Sequence, residues 1–168
     1  GQDAYGSTAL VYAEGANNVI VQTLITESTG DGLQFSIAGN TDALLWCTNV
    51  TSVDNASDGF AMTGTHTDSS SALSLNFINC IAANNGAYGW SLPAASTDAR
   101  SAGTIDYNCG YNNTSGNYDG TTAGSNDITI TADPFTADDA SDDYTLNATA
   151  GGGALLSSSA YVAIPTRP

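Results

Sequence analysis

The stretch Asn79-Cys80-Ile81-Ala82-Ala83-Asn84-Asn85-Gly86-Ala87-Tyr88-Gly89-Trp90-Ser91-Leu92 decides the reading of this chain. It holds a polar corner (Asn84-Asn85-Gly86), a glycine motif (Ala87-Tyr88-Gly89) and a run in which Trp90 and Leu92 flank Ser91. Asn and Gly accept left-handed backbone angles and satisfy turn amides, so they belong at corners. Apolar alternation with period two marks a strand with one buried face. Upstream, Leu73-Ser74-Leu75-Asn76-Phe77 reads as another strand.

The same order returns on both sides. The glycine motif reads Asp3-Ala4-Tyr5-Gly6, Gly30-Asp31-Gly32, Ser57-Asp58-Gly59 and Tyr118-Asp119-Gly120, so with Gly89 the closing glycines lie 26, 27, 30 and 31 residues apart. The residues after the glycines are Ser7, Leu33, Phe60, Trp90 and Thr121; two positions further come Ala9, Phe35, Met62, Leu92 and Ala123. Large side chains in the middle and small ones at the ends predict a stacked core that tapers. A second strand precedes each glycine: Val19-Ile20-Val21, Leu44-Leu45-Trp46, Leu73 to Phe77, Ile105-Asp106-Tyr107 and Ile128-Thr129-Ile130. Trp46 and Trp90 are expected to point inward. Asp54-Asn55 and Asn112-Asn113 supply further corners. No window carries an apolar period of 3.6 with caps, which predicts almost no helix.

A period between 20 and 50 residues points to a repeat architecture, because one repeat cannot bury its apolar face alone. Stacked repeats pair each strand with its own copy at about 4.8 Å, and that pairing is parallel by construction. The expected fold is therefore all-β, a parallel β-helix solenoid of about five to six coils. The coils are expected over residues 1–132, with 133–168 as an irregular C-terminal cap of the same domain.

The phrases Asn79 to Trp90 and Tyr107-Asn108-Cys109-Gly110-Tyr111-Asn112-Asn113 resemble coils of the right-handed parallel β-helix superfamily, the pectate-lyase-like proteins that include phage tailspikes and many secreted proteins. Asp133-Pro134-Phe135 with Asp143-Tyr144-Thr145-Leu146 resembles the segment that ends many such domains, although Gly151-Gly152-Gly153 replaces the family's usual continuation. The resemblance implies a right-handed coil and is unspecific for function, which is grafted onto such scaffolds site by site.

Seventeen acidic residues stand against Arg100 and Arg167, with no Lys, for a net charge of −15. That balance argues against nucleic acid, whose phosphates need Lys and Arg clusters, and against anionic membrane surfaces. It suits saline surroundings, where repulsion is screened, or a secreted or virion protein kept soluble by its charge. No apolar run approaches the roughly 20 residues of a membrane-spanning helix. Tyr5-Gly6 already reads as part of a coil, and an open coil end is a strand edge that natural proteins cover. The first coil is therefore expected to meet further residues, another domain or another subunit. Cys47, Cys80 and Cys109 are expected to form an inward ladder of buried thiols, with one disulfide between adjacent coils as the alternative. No CxxC spacing supports zinc.

Asp31 and Asp58 precede their glycines and would stack in adjacent coils, where calcium would suit their oxygens and turn chemistry is the competing explanation. Glycoside hydrolysis needs two carboxylates roughly 5–10 Å apart, but no motif selects a pair. Lyases of the resembling family use Arg or Lys as base beside calcium; Arg100 in a polar loop and Arg167 in the tail do not fit that role. His66, the single histidine, reads as a solvated loop residue. Tyr88, Tyr111 and Tyr118, with Tyr5 and Tyr107 near the same motifs, are candidate glycan contacts. The sequons at Asn49, Asn55, Asn112, Asn113 and Asn147 matter only in a glycosylating pathway.

The expected function is a non-enzymatic structural or adhesive extracellular β-helix, set in a virion appendage or a surface fibre. It is expected to assemble as a homotrimer, a stacked filament or with other surface proteins, without cofactor apart from calcium. The alternative is a carbohydrate-active module, either a polysaccharide hydrolase or a glycan binder.

Overall fold

The computed structural model describes residues 9–14, 17–36, 42–64, 73–92, 103–137, 143–148 and 150–157. Tyr5, Gly6, His66, Arg100 and Arg167 lie outside the described residues. The chain is all-β with parallel sheets. One sheet runs in the order β1 (Ala9–Glu14), β3 (Asp31–Ser36), β5 (Phe60–Thr63), β8 (Tyr88–Ser91) and β11 (Gly116–Asp119), every neighbouring pair parallel. In the other, the long strand β2 (Asn17–Thr26) pairs β4 (Ala43–Val53). The first half of β4 then pairs β6 (Leu73–Ile78) and through it β9 (Ile105–Asp106), while the second half pairs β7 (Ile81–Ala83) and through it β10 (Cys109–Tyr111).

Two corners hold these strands in step. Gln22, Asn49, Asn79 and Tyr107 occupy the first, each with φ between 50° and 61°; Glu27, Asp54, Asn84 and Asn112 occupy the second, between 50° and 58°. Left-handed backbone is costly for residues with a Cβ and least so for Asn and Asp, which explains five of the eight. The expected Asn-rich corners are therefore real, and they set the register.

Behind the second corner runs a buried amide ladder. Asn55 Nδ2 donates to Asn85 Oδ1 (2.8 Å), Asn85 Nδ2 to Asn113 Oδ1 (2.8 Å) and Asn113 Nδ2 to Asn117 Oδ1 (2.9 Å). The Oδ1 atoms of Asn55, Asn85 and Asn113 also accept main-chain N–H groups from the preceding repeat, those of Ser28, Asn55 and Asn85 in turn. Buried amides without partners would each cost about 1–3 kcal/mol; here each rung satisfies the next.

The ladder explains the recurring glycine. A Cβ on Gly89 would stand 2.9 Å from both Asn113 Nδ2 and the Asn117 carbonyl, and one on Gly59 2.8 Å from Asn85 Nδ2. The slot is glycine because an amide occupies the space, a close approach that only glycine allows. Gly120 differs: it has φ of 68° and lies in the bend that follows β11.

Between the sheets lies the main apolar cluster, with Leu33, Phe60 and Trp90 in one column. Phe60 and Trp90 stack at 5.3 Å, Trp90 and Tyr118 at 5.1 Å, and Phe77 meets Phe60 edge-on at 5.2 Å. Fully burying each such side chain contributes about 1.5–3 kcal/mol.

The outer two repeats depart from the expected alignment. Trp90 pairs with Tyr118, so Asn117, not Gly120, faces Gly89. The partner pairs Ala9–Asp31 and Val11–Leu33 place Leu10, not Gly6, opposite Gly32. At its Tyr118 end the interior column therefore finishes on an aromatic ring and does not taper as expected. Ile128 forms an isolated bridge with Cys109 and is no copy of Ile105. The physical reason is that backbone pairing follows the corners and the amide ladder, and Asn117 completes that ladder where Gly120 would not.

The C-terminal segment forms the antiparallel pair β12 (Phe135–Ala137) and β13 (Asp143–Leu146), then a short helix, α1 (Gly152–Ser157). Phe135, Leu146 and Leu155 join Val53, Ile81, Ala83 and Cys109 in a second cluster. The segment thus lies along the outer flank of β4, β7 and β10, whereas the sequence suggested a cap on the last repeat.

Candidate functional site

Asp31 and Asp58 sit in adjacent repeats as expected, and both serve the backbone. Asp31 Oδ1 accepts the N–H of Asp58 (3.1 Å), and Asp58 Oδ1 accepts the N–H of Tyr88 (2.8 Å). Burial pushes the Asp58 carboxyl up, the Tyr88 N–H opposes that shift, and the Asp31 and Asp119 charges add to it. Among the described residues, no group of three or more His, Cys, Asp or Glu stands close enough to hold a metal ion.

The three tyrosines expected at a glycan surface are dispersed. Tyr88 continues the column of Asp31 and Asp58 on the first sheet. Tyr111 is partly buried in the cluster beneath the C-terminal segment. Tyr118 ends the interior stack, and its hydroxyl donates to Asp127, which also accepts the N–H groups of Asn108 and Gly124. Burial first, then the Asp127 carboxylate, holds the Tyr118 hydroxyl in its protonated form. It is a packing residue, not a surface contact.

The cysteine ladder does not form. Cys47 stands two residues before Asn49, Cys80 one after Asn79 and Cys109 two after Tyr107, so the three occupy different positions relative to one corner. Cys47 and Cys80 belong to the interior cluster, Cys109 to the outer one, and all three are buried free thiols. Burial pushes Cys80 and Cys109 up to about 12 and Cys47 well above the ordinary thiol value, which keeps them neutral. Trp46 also differs from expectation. It alternates with the buried Leu45 and Cys47, is itself only half-buried, and donates its indole N–H to Thr48 Oγ1 (2.7 Å). It faces outward because the period-two pattern places Leu45 and Cys47 inside.

The structure assembles a shallow, open site that the motifs did not indicate. A groove of about 440 Å³ is lined by Gln22, Thr23 and Leu24 of β2, Asn49 and Thr51 of β4, and Asp143, Tyr144 and Thr145 of β13. Its floor exists because β2 and β4 bend at the left-handed Gln22 and Asn49. Its wall exists because Tyr144 packs edge-on against Phe135 (5.7 Å) while its hydroxyl donates to Glu27 Oε1 (3.4 Å). Burial, with the Asp54 and Glu27 carboxylates adding, raises the Tyr144 hydroxyl, so it stays protonated. Asp143 accepts the Thr145 hydroxyl (2.5 Å) and N–H (3.2 Å), which holds its carboxyl below the usual range and keeps it ionised. The contact between residues 27 and 144 is long-range, so no local pattern could have announced it.

A family model described as disaggregatase related matches residues 73–163. The chain belongs to the disaggregatase-related family. In this disaggregatase-related chain the matched segment begins with β6 and runs through the C-terminal strands, so it supplies the Tyr144 wall of the groove, while β2 and β4 precede it. No curated protein and no solved structure matches the chain.

Proposed function

We propose that this disaggregatase-related chain is a right-handed parallel β-helix acting as a non-catalytic, adhesive module on an extracellular surface. Three parallel strands per repeat, two corners kept in register and a buried amide ladder support the solenoid reading. The likeness of Asn79 to Trp90 to coils of pectate-lyase-like proteins points the same way. The hand follows from the strong right-handed preference of connections between parallel strands.

The observation that carries the non-catalytic reading is the fate of the acid column. Asp31 and Asp58 spend oxygens on main-chain N–H groups of the next repeat. Glycoside hydrolysis asks for one carboxyl poised as acid and a second as base or nucleophile. Assembly with neighbours is supported by β2, which among the described residues pairs only with β4 and so is an outer strand of its sheet. Val19 and Val21 on it are 48% and 51% exposed. An outer strand carrying apolar side chains is a surface that a partner covers. A virion appendage or a cell-surface fibre is the setting, and a trimer or stacked filament the assembly.

The family description favours a second reading. A disaggregatase, as the word says, takes aggregates apart, which suits a carbohydrate-active module with hydrolytic or glycan-binding duty. Two measurements separate the readings. Light scattering on the purified chain should give a multiple of 17.0 kDa; a monomer at every concentration would remove the assembly claim. Incubation with neutral and acidic polysaccharides should release no new reducing ends or unsaturated products, and their release would hand the function to the second reading.

A further inference from the structure

We infer that the groove between β13 and the bend of β2 and β4 is a binding site for a neutral glycan. Its volume of about 440 Å³ falls within the roughly 300–1,000 Å³ typical of small-molecule sites. A sugar ring presents an apolar C–H face and a rim of hydroxyls, and the groove matches both. Tyr144 supplies a flat ring whose plane is set by Phe135, and Leu24, half exposed on β2, supplies a second apolar surface. Gln22, Asn49 and Thr51 place amides and a hydroxyl around them.

Asn49 adds an independent sign. Its Oδ1 is buried and takes no hydrogen bond. Such an acceptor is costly to leave unpaired, and a turn of the Asn49 amide, which lines the groove, would bring it to a ligand hydroxyl. Charge selects the class of glycan. Among the described residues, the lining holds the carboxylate of Asp143 and no Lys, Arg or His. Uronates and sulfated sugars would bring like charge against Asp143. Neutral hydroxyls, in contrast, are good donors to a carboxylate.

The site deepens the adhesive reading by naming what is held, and it rests on that reading only for its purpose. The test is calorimetric titration of the full chain with gluco-, galacto-, manno- and N-acetylglucosamine oligosaccharides, and with uronic-acid oligosaccharides of matched length. At least one neutral series should bind, and the uronates should not. Tyr144→Ala should weaken binding by about tenfold or more, a loss of about 1.4 kcal/mol. Because that change could loosen the C-terminal strands, Leu24→Arg provides a second variant at an exposed position that leaves Tyr144 and Phe135 in place. It should cause a comparable loss, whereas Tyr88→Ala on the other sheet should leave binding unchanged. Preference for uronates, binding indifferent to both groove variants, or no binding by any neutral series overturns the proposal. Those outcomes leave the scaffold reading intact. New reducing ends would instead overturn the non-catalytic reading while the groove stands.

Discussion

The interior between the two sheets and the outer flank beneath the C-terminal strands are both apolar, yet they are built differently. Inside, the same position recurs from repeat to repeat, so Leu33, Phe60, Trp90 and Tyr118 form one column backed by the ladder of Asn55, Asn85 and Asn113. On the flank, Val53, Ile81, Ala83 and Cys109 are still periodic, but what covers them (Phe135, Leu146, Leu155) follows no period. A repeat scaffold gains its stability from neighbour-on-neighbour contacts. A site that needs two different surfaces has to borrow one from outside the repeat, and here the C-terminal strands supply it.

Trp90→Ala should break this contrast most severely. Trp90 is fully buried and stacked on both sides, so truncation should cost about 3–5 kcal/mol. Urea denaturation should show the loss in the global transition. Phe135→Ala should cost about 3 kcal/mol, but in a different place. Hydrogen exchange should increase in β12 and β13 while β5 and β8 remain protected. Equal loosening in both regions would show that the flank and the interior are one cooperative unit. Gly89→Ala should cost about 1–3 kcal/mol through overpacking, because the new Cβ meets the ladder amide. Gly120→Ala is the informative control: its strain comes from a positive φ, so Gly120→Asn, which tolerates that angle, should recover stability, while Gly89→Asn should not.

The smallest effect concerns pH. The carboxyl of Asp58 titrates above its ordinary value in the folded chain, so the folded state holds that proton more tightly than the unfolded state does. Its contribution therefore falls as pH rises from the ordinary carboxylate value through the folded one, and stays low above it. Asp58→Asn keeps an oxygen for the Tyr88 N–H and removes the titration. The difference in melting temperature between variant and wild type should be smallest at acid pH and move in the variant's favour across that window. A difference that is flat with pH would show that Asp58 titrates normally.

Much of the scaffold is legible in the sequence. The strands around Leu33, Phe60 and Trp90 and the corners at Asp54, Asn84 and Asn112 were readable because alternation and corner chemistry are local. The outer repeats were not, since glycine marks two different things here: space taken by an amide at Gly59 and Gly89, and a positive φ at Gly120. Counting glycines merges the two and shifts the last repeat by three residues, which sent Tyr118 to the surface on paper and left Asn117 unnoticed. Trp46 was misplaced for a related reason. In Ala43-Leu44-Leu45-Trp46-Cys47 the alternation is masked by five apolar residues in a row, and only the corner at Asn49 tells which of them face inward.

The sequence by itself determined the all-β class, the repeat length and the central apolar column, because each depends on residues close to one another along the chain. Tertiary structure decided which faces Tyr88, Tyr111, Tyr118 and the three cysteines occupy, where the C-terminal segment lies, and that a groove exists at all. Those outcomes depend on contacts such as Tyr144 with Glu27, separated by 117 residues, whose partners are chosen by the fold and leave no spacing for a reader of the chain to find.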